Sequence, residues 1–177
     1  MSPTMHKQQG VVLMEVLIAL LITAFGVLGY VGFQARTTMS QFEGYQRTQA
    51  LMLINDMAER MSLNRSEAAS YVLDDIGAGL PDNCAAPATR VATDLCEWAD
   101  LIEGASEVQG AAKVGAMINA RACITNPAPN EYVISLVWQG IQASGRPVTD
   151  CGEDAFASEE TRRAVSTRVH VADLGAV

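Results

Sequence analysis

The sequence predicts an α+β fold: one long N-terminal helix, apolar in its first half, packed by its second half on a small antiparallel sheet. Three observations carry this. The apolar run from Val11 to Phe33 carries no charge apart from Glu15. Ala50, Leu53, Ile54, Met57 and Met61 recur at three- and four-residue steps, which makes one apolar helix face. The last third changes to the two-residue alternation of strands.

The apolar run is long enough to cross a hydrocarbon core of about 30 Å as a helix. The polar segment Met1 to Gly10 precedes it, with His6 and Lys7 on the side expected to stay cytoplasmic. A secretory signal has its apolar core before the cut; here a cut after Gly10 removes only the polar leader and keeps the span. Glu15 is the anomaly. A carboxylate inside a membrane helix costs about 2.5–3.5 kcal/mol on insertion scales, so a lone one calls for a partner charge. The amine freed by cleavage after Gly10 is the nearest candidate.

No proline interrupts the pattern beyond the span, and the helix is expected from about Val12 to Leu63. Gly26, Gly29 and Gly32 soften one stripe of it or allow close packing. Asp56, Glu59 and Arg60 fall on the face opposite the Met-rich stripe. The stretch from Asp74 to Pro87 reads as loop; its acids do not match the spacing of a calcium loop. Asp94-Leu-Cys-Glu97 has the form of a capping box, opening a short second helix with an apolar face of Leu95, Trp98, Leu101, Ile102 and Ala105 and an end near Gly110. Three strands follow. Ala116 to Thr125 leads to a turn at Asn126–Asn130. Tyr132 to Trp138 is apolar on both faces and therefore central. Val165 to Val171 is half-buried, with Ser166, Arg168 and His170 outward.

The chain has 177 residues, room for an anchor and one modest domain. The boundaries expected are a leader at 1–10, a membrane half-helix at 11–35 and a head at 36–177. Its net charge of -8 argues against non-specific attraction to nucleic acid or anionic lipid. Arg162, Arg163 and Arg168 read as a solvated strand end rather than a nucleic-acid patch. Cys84, Cys96, Cys123 and Cys151 all follow the span, as expected in an oxidising compartment. Paired CxxC spacing is missing and His170 is the only histidine after the leader, so disulfides are favoured over zinc. Three connectivities exist; the local closures Cys84–Cys96 and Cys123–Cys151 are preferred. No catalytic constellation emerges, since His170 is an outward strand residue and no serine sits in a nucleophile elbow. The expectation is a protein that is not an enzyme and needs no cofactor or metal.

The Gly10 and Glu15 pair, five residues apart across a basic leader and an uninterrupted apolar helix, resembles the class III signal of type IV prepilins and pseudopilins. The resemblance implies cleavage after Gly10 by a prepilin peptidase, N-methylation of Val11 and an assembly role for Glu15. The family usually begins its mature chain with Phe-Thr, whereas this chain has Val11-Val12. Gln49–Met61, Ala120–Ile124, Tyr132–Gly140, Pro147, Cys151-Gly152 and Arg162-Arg163 are similar to the minor pilins of the type IV pilus modification group, PilV. That likeness implies a subunit that helps prime or cap pilus assembly and supports twitching motility. Its expected partners are the prepilin peptidase, other minor pilins, the major pilin, the pilus assembly platform and the membrane, crossed once; no nucleic acid is expected. The expected location is the bacterial inner membrane with a periplasmic head, then the pilus. Two alternatives are a minor pseudopilin of type II secretion, separable by exoprotein release against twitching, and a tip adhesin or DNA receptor, separable by direct binding.

Overall fold

The computed structural model describes residues 9–77, 84–104, 108–110, 112–113 and 117–172. Helix α1 runs unbroken over Gln9–Leu63. It ends at the residue the sequence indicated and begins slightly earlier than Val12. Threonines do not break it, because the hydroxyls of Thr23, Thr37, Thr38 and Thr48 each donate to the carbonyl four residues back. The chain divides into two compact units, Met1–Phe42 and Glu43–Val177. In the first, the apolar residues of α1 from Val11 to Phe33 are all exposed. The stretch is long and apolar enough to cross a membrane, with a mean hydropathy of 2.7 in its best window.

The second unit is the head. Its main sheet has four antiparallel strands, β1 (Leu73–Ile76), β4 (Arg121–Ala128), β5 (Glu131–Gln139) and β6 (Arg162–His170), in that spatial order. Strands β2 (Val108–Gln109) and β3 (Ala112–Lys113) form a separate two-stranded pair. The inner face of the sheet carries Ala122, Ile124, Tyr132, Ile134, Leu136 and Trp138. These pack in one core with Ala50, Leu53, Ile54, Met57 and Met61 of α1, all of them buried as their spacing predicted. Burying a side chain of this kind contributes about 1.5–3 kcal/mol.

The outer face of β5 is covered as well. Val137 and Cys123 pack with Cys151 and Phe156 of the segment before β6. This is why β5 is apolar on both faces, and it lies between β4 and β6 as expected. Strand β6 keeps Val165, Thr167 and Val169 half-buried, while Ser166, Arg168 and His170 are exposed.

Several expectations are corrected. The second helix, α2, spans Arg90–Ile102, and its N-cap is Thr89, whose hydroxyl accepts from the Ala92 amide at 3.1 Å. Asp94 therefore sits inside the helix, buried, and caps nothing. Helix α2 stops well before Gly110 because Gly104, at φ 85°, takes the left-handed conformation that closes a helix. Ala105 of its expected face lies outside the described residues, as does Ala116 at the start of the expected strand. The expected loop from Asp74 contains most of β1, which pairs with β4 through a register shift between Leu73 and Ile76. The expected turn at Asn126 belongs to β4, whose pairing with β5 is irregular between Thr125 and Ala128. The reversal itself falls at Pro129 and Asn130, with Asn130 at φ 61°.

Candidate functional site

The residues singled out for processing and assembly all lie on α1. Gly10 and Val11 fall in its first turn, and Glu15 follows in the next. Glu15 makes no hydrogen bond or ion pair with another described residue, and the apolar side chains around it, Val12 to Ile18, stand exposed. The first unit thus presents an apolar helical surface bearing a single carboxylate. Such a surface is stable in lipid or against other helices and costly in water. Around Gly26, Gly29 and Gly32 an added Cβ would meet nothing within 4 Å, so none of them is used for packing inside this chain. They leave a smooth stripe on which another helix can approach closely.

In the head, the second half of α1 is fastened to α2 by polar contacts at Leu53 and at Arg60. The Trp98 indole N–H, fully buried, donates to the Leu53 carbonyl at 2.8 Å. Asp94, 1% exposed, accepts from three residues. Arg60 donates to it at 3.1 Å, Arg90 at 3.2 Å and the Tyr71 hydroxyl at 2.5 Å, while Asn64 donates to the Tyr71 oxygen at 3.2 Å. Arg60 also binds Asp56 at 2.9 Å and Glu97 at 2.6 Å. Burial alone would lower the Arg60 pKa; the bonds to Glu97 and Asp56 outweigh it and leave it raised. Burial, then the bond to the Asp94 carboxylate, pushes the Tyr71 phenol above its ordinary value.

This clasp was only partly readable in the sequence. Asp56–Arg60 and Arg90–Asp94 are four-residue helical pairs, a recognisable spacing. Placing Arg60 on the solvent side missed its role, and nothing local in the sequence joins Tyr71 to Asp94 across 23 residues.

The cysteines pair as Cys84–Cys96 and Cys123–Cys151, with Cα separations of 5.5 and 5.8 Å. The first ties the segment before α2 to that helix. The second ties β4 to the segment covering β5. The three C-terminal arginines form no common patch. Arg162 is buried and bonds Glu159 at 2.6 Å and the Thr149 and Cys151 carbonyls at 2.7 and 2.8 Å. Arg163 reaches Glu43 at 3.3 Å and the Gln142 carbonyl at 2.6 Å. Arg168 pairs with Glu131 at 2.5 Å. Each of the three cations has an acid partner. His170 is exposed at the end of β6.

The apolar first half of α1 bears one acid and is long and apolar enough to cross a membrane, and the second half belongs to an α+β head with two disulfides. A family model described as Tt1218-like, Type IV pilin Tt1218, matches residues 32–101. The chain is similar to that type IV pilin family over the head half of α1 and most of α2, less than half of its length. No curated protein and no solved structure matches.

Proposed function

We propose that the chain is a structural, noncatalytic subunit of a type IV pilus, a minor pilin of the PilV kind that helps prime or cap filament assembly. The observation that carries the reading is α1 itself: its first half is apolar and exposed, with Glu15 unmatched among the described residues, while its second half is built into the head core. A surface of that kind is satisfied by lipid before assembly and by neighbouring helices afterwards. The similarity to the type IV pilin family over residues 32–101 supports the same reading.

In this reading the leader is cut after Gly10 by a prepilin peptidase, Val11 becomes the methylated N-terminus, and Glu15 pairs with such an amine on this or a neighbouring subunit. The pairing neutralises a carboxylate that would otherwise remain unmatched in an apolar medium and sets the axial register between subunits. The protein crosses the inner membrane once, with its disulfide-bonded head in the periplasm, before entering the filament with the other minor pilins and the major pilin on the assembly platform. The test is Glu15→Ala in the native cell. Membrane insertion is retained, and surface piliation and twitching fall. Normal piliation in that variant contradicts the assembly role, and loss of exoprotein release with intact twitching assigns the subunit to type II secretion instead.

A further inference from the structure

Residues 43–50 of α1 are attached to the head differently from the stretch that follows. Of their side chains only Gln46 and Ala50 are buried, so their apolar contribution to the core is one methyl group. Residues 53–61 bury four large apolar side chains, Leu53, Ile54, Met57 and Met61. Gln46 is 1% exposed, and neither its amide nitrogen nor its amide oxygen finds a partner among the described residues. An amide buried in that way is better satisfied in water, where both atoms are bonded.

The sheet carries a second orphan at the same corner. Glu43 pairs with Arg163 at 3.3 Å, and Arg163 is the cross-strand partner of Trp138, so residues 43–50 lie over this end of β5 and β6. Trp138 is 3% exposed, and its indole N–H has no acceptor among the described residues. Arg163 loses little on parting from Glu43. Its guanidinium keeps the Gln142 and Glu160 carbonyls at 2.6 and 3.2 Å and the Ser144 hydroxyl at 2.5 Å. From Leu53 onward the helix is held by Trp98, Asp94 and Glu97. Opening residues 43–50 therefore costs one methyl group, one long ion pair and whatever part of the Trp138 indole they cover. In return, three buried polar atoms regain water.

We propose that residues 43–50 form a seam built to open: they part from the sheet while the helix from Leu53 onward stays clasped. The buried Gln46 amide sets how often the seam opens. The open form presents that amide and the Trp138 indole N–H at the surface of the head. The proposal concerns the head alone and does not depend on the pilin reading.

The test is native-state thiol labelling of the full chain in a nonionic detergent. All four native cysteines are in disulfides, so an introduced cysteine is the one free thiol. Ala50→Cys and Ala99→Cys place it at two fully buried positions, the first in the seam and the second in α2. Without urea, Ala50→Cys is labelled at roughly ten times the rate of Ala99→Cys or more. Its rate also responds more weakly to low urea, since opening the seam exposes less surface than unfolding the head. Adding Gln46→Met removes the unpartnered amide and slows labelling of Ala50→Cys by about tenfold. Gln46→Leu serves the same purpose where the methionine variant does not fold. Equal rates and equal urea dependence at the two positions overturn the proposal, because residues 43–50 then open only when the whole head unfolds. So does a labelling rate for Ala50→Cys that the apolar replacement of Gln46 leaves unchanged or raises.

Discussion

The Trp98 indole donates its N–H to the Leu53 carbonyl at 2.8 Å, joining α2 to α1 at a point where both residues are buried. An indole has a large apolar surface and a single donor, and it is placed stably only where that donor finds an acceptor. Trp98→Phe keeps most of the apolar surface and removes the donor. The Leu53 carbonyl, inside a helix, keeps its backbone partner, so the loss is about 1 kcal/mol. Trp98→Ala leaves a cavity as well and costs about 3–5 kcal/mol. Urea denaturation of the full chain in detergent separates the two values; equal losses would show that the indole N–H is irrelevant.

Asp94 is the acceptor at the centre of the clasp. Asp94→Ala leaves Arg60, Arg90 and the Tyr71 hydroxyl facing a buried hole, at a cost of about 3–5 kcal/mol. Asp94→Asn retains one acceptor and loses less. Glu97→Gln, in the same cluster but half-exposed, changes stability by about 1 kcal/mol or less. The ranking is read from denaturation midpoints, and a Glu97 effect equal to that of Asp94 would refute the burial argument.

The clasp also gives the head an alkaline limit. The Tyr71 phenol is raised above its ordinary value of about 10, first by burial and then by Asp94. A folded-state pKa above the unfolded one means that the folded protein holds the proton more tightly. Its stabilisation is complete below about pH 10 and is lost as pH climbs through the folded value. Tyr71→Phe, which has no proton to lose, is less stable at neutral pH and declines less as the pH rises above about 10. Parallel declines of the wild type and Tyr71→Phe in thermal denaturation would exclude Tyr71 as the titrating group.

Gly77 ends β1 at φ 102°, and a Cβ there would lie 2.8 Å from the Ala120 carbonyl oxygen and 2.9 Å from Ile102. The backbone oxygen cannot swing aside. Gly77→Ala is expected to cost about 1–3 kcal/mol from backbone strain before any clash is counted. Gly145→Ala, with open space around it, has little effect. The comparison needs only two melting curves, and similar melting temperatures would show that β1 relaxes freely.

The long helix, its buried stripe and the two long C-terminal strands were legible because their periodicity extends over many residues and belongs to the segment itself. Ala50, Leu53, Ile54, Met57 and Met61 are buried in the order their spacing dictates. The parts that were not legible depend on partners distant in sequence. Strand β1 forms because β4 accepts it, though Asp74 and Asp75 look like loop residues. Asp94 mimics a capping residue in its local context, yet a threonine five positions earlier starts the helix and frees the carboxylate for Arg60 and Tyr71. Arg162, read as solvated, is buried because Thr149, Cys151 and Glu159 supply acceptors that no local pattern reveals. The candidate assembly residues Gly10 and Glu15 rest on sequence alone, since their signal is a charge in an apolar run and not a tertiary contact.

The central claim is that this chain enters a filament as a processed pilin whose new N-terminus partners Glu15. The most direct measurement is the intact mass of the protein recovered from sheared pilus fractions, before and after reduction. The account predicts a chain beginning at Val11, with one added methyl group and a gain of four hydrogens on reduction of the two disulfides. A chain that still begins at Met1, or one present only in membranes and never in the filament fraction, would contradict it.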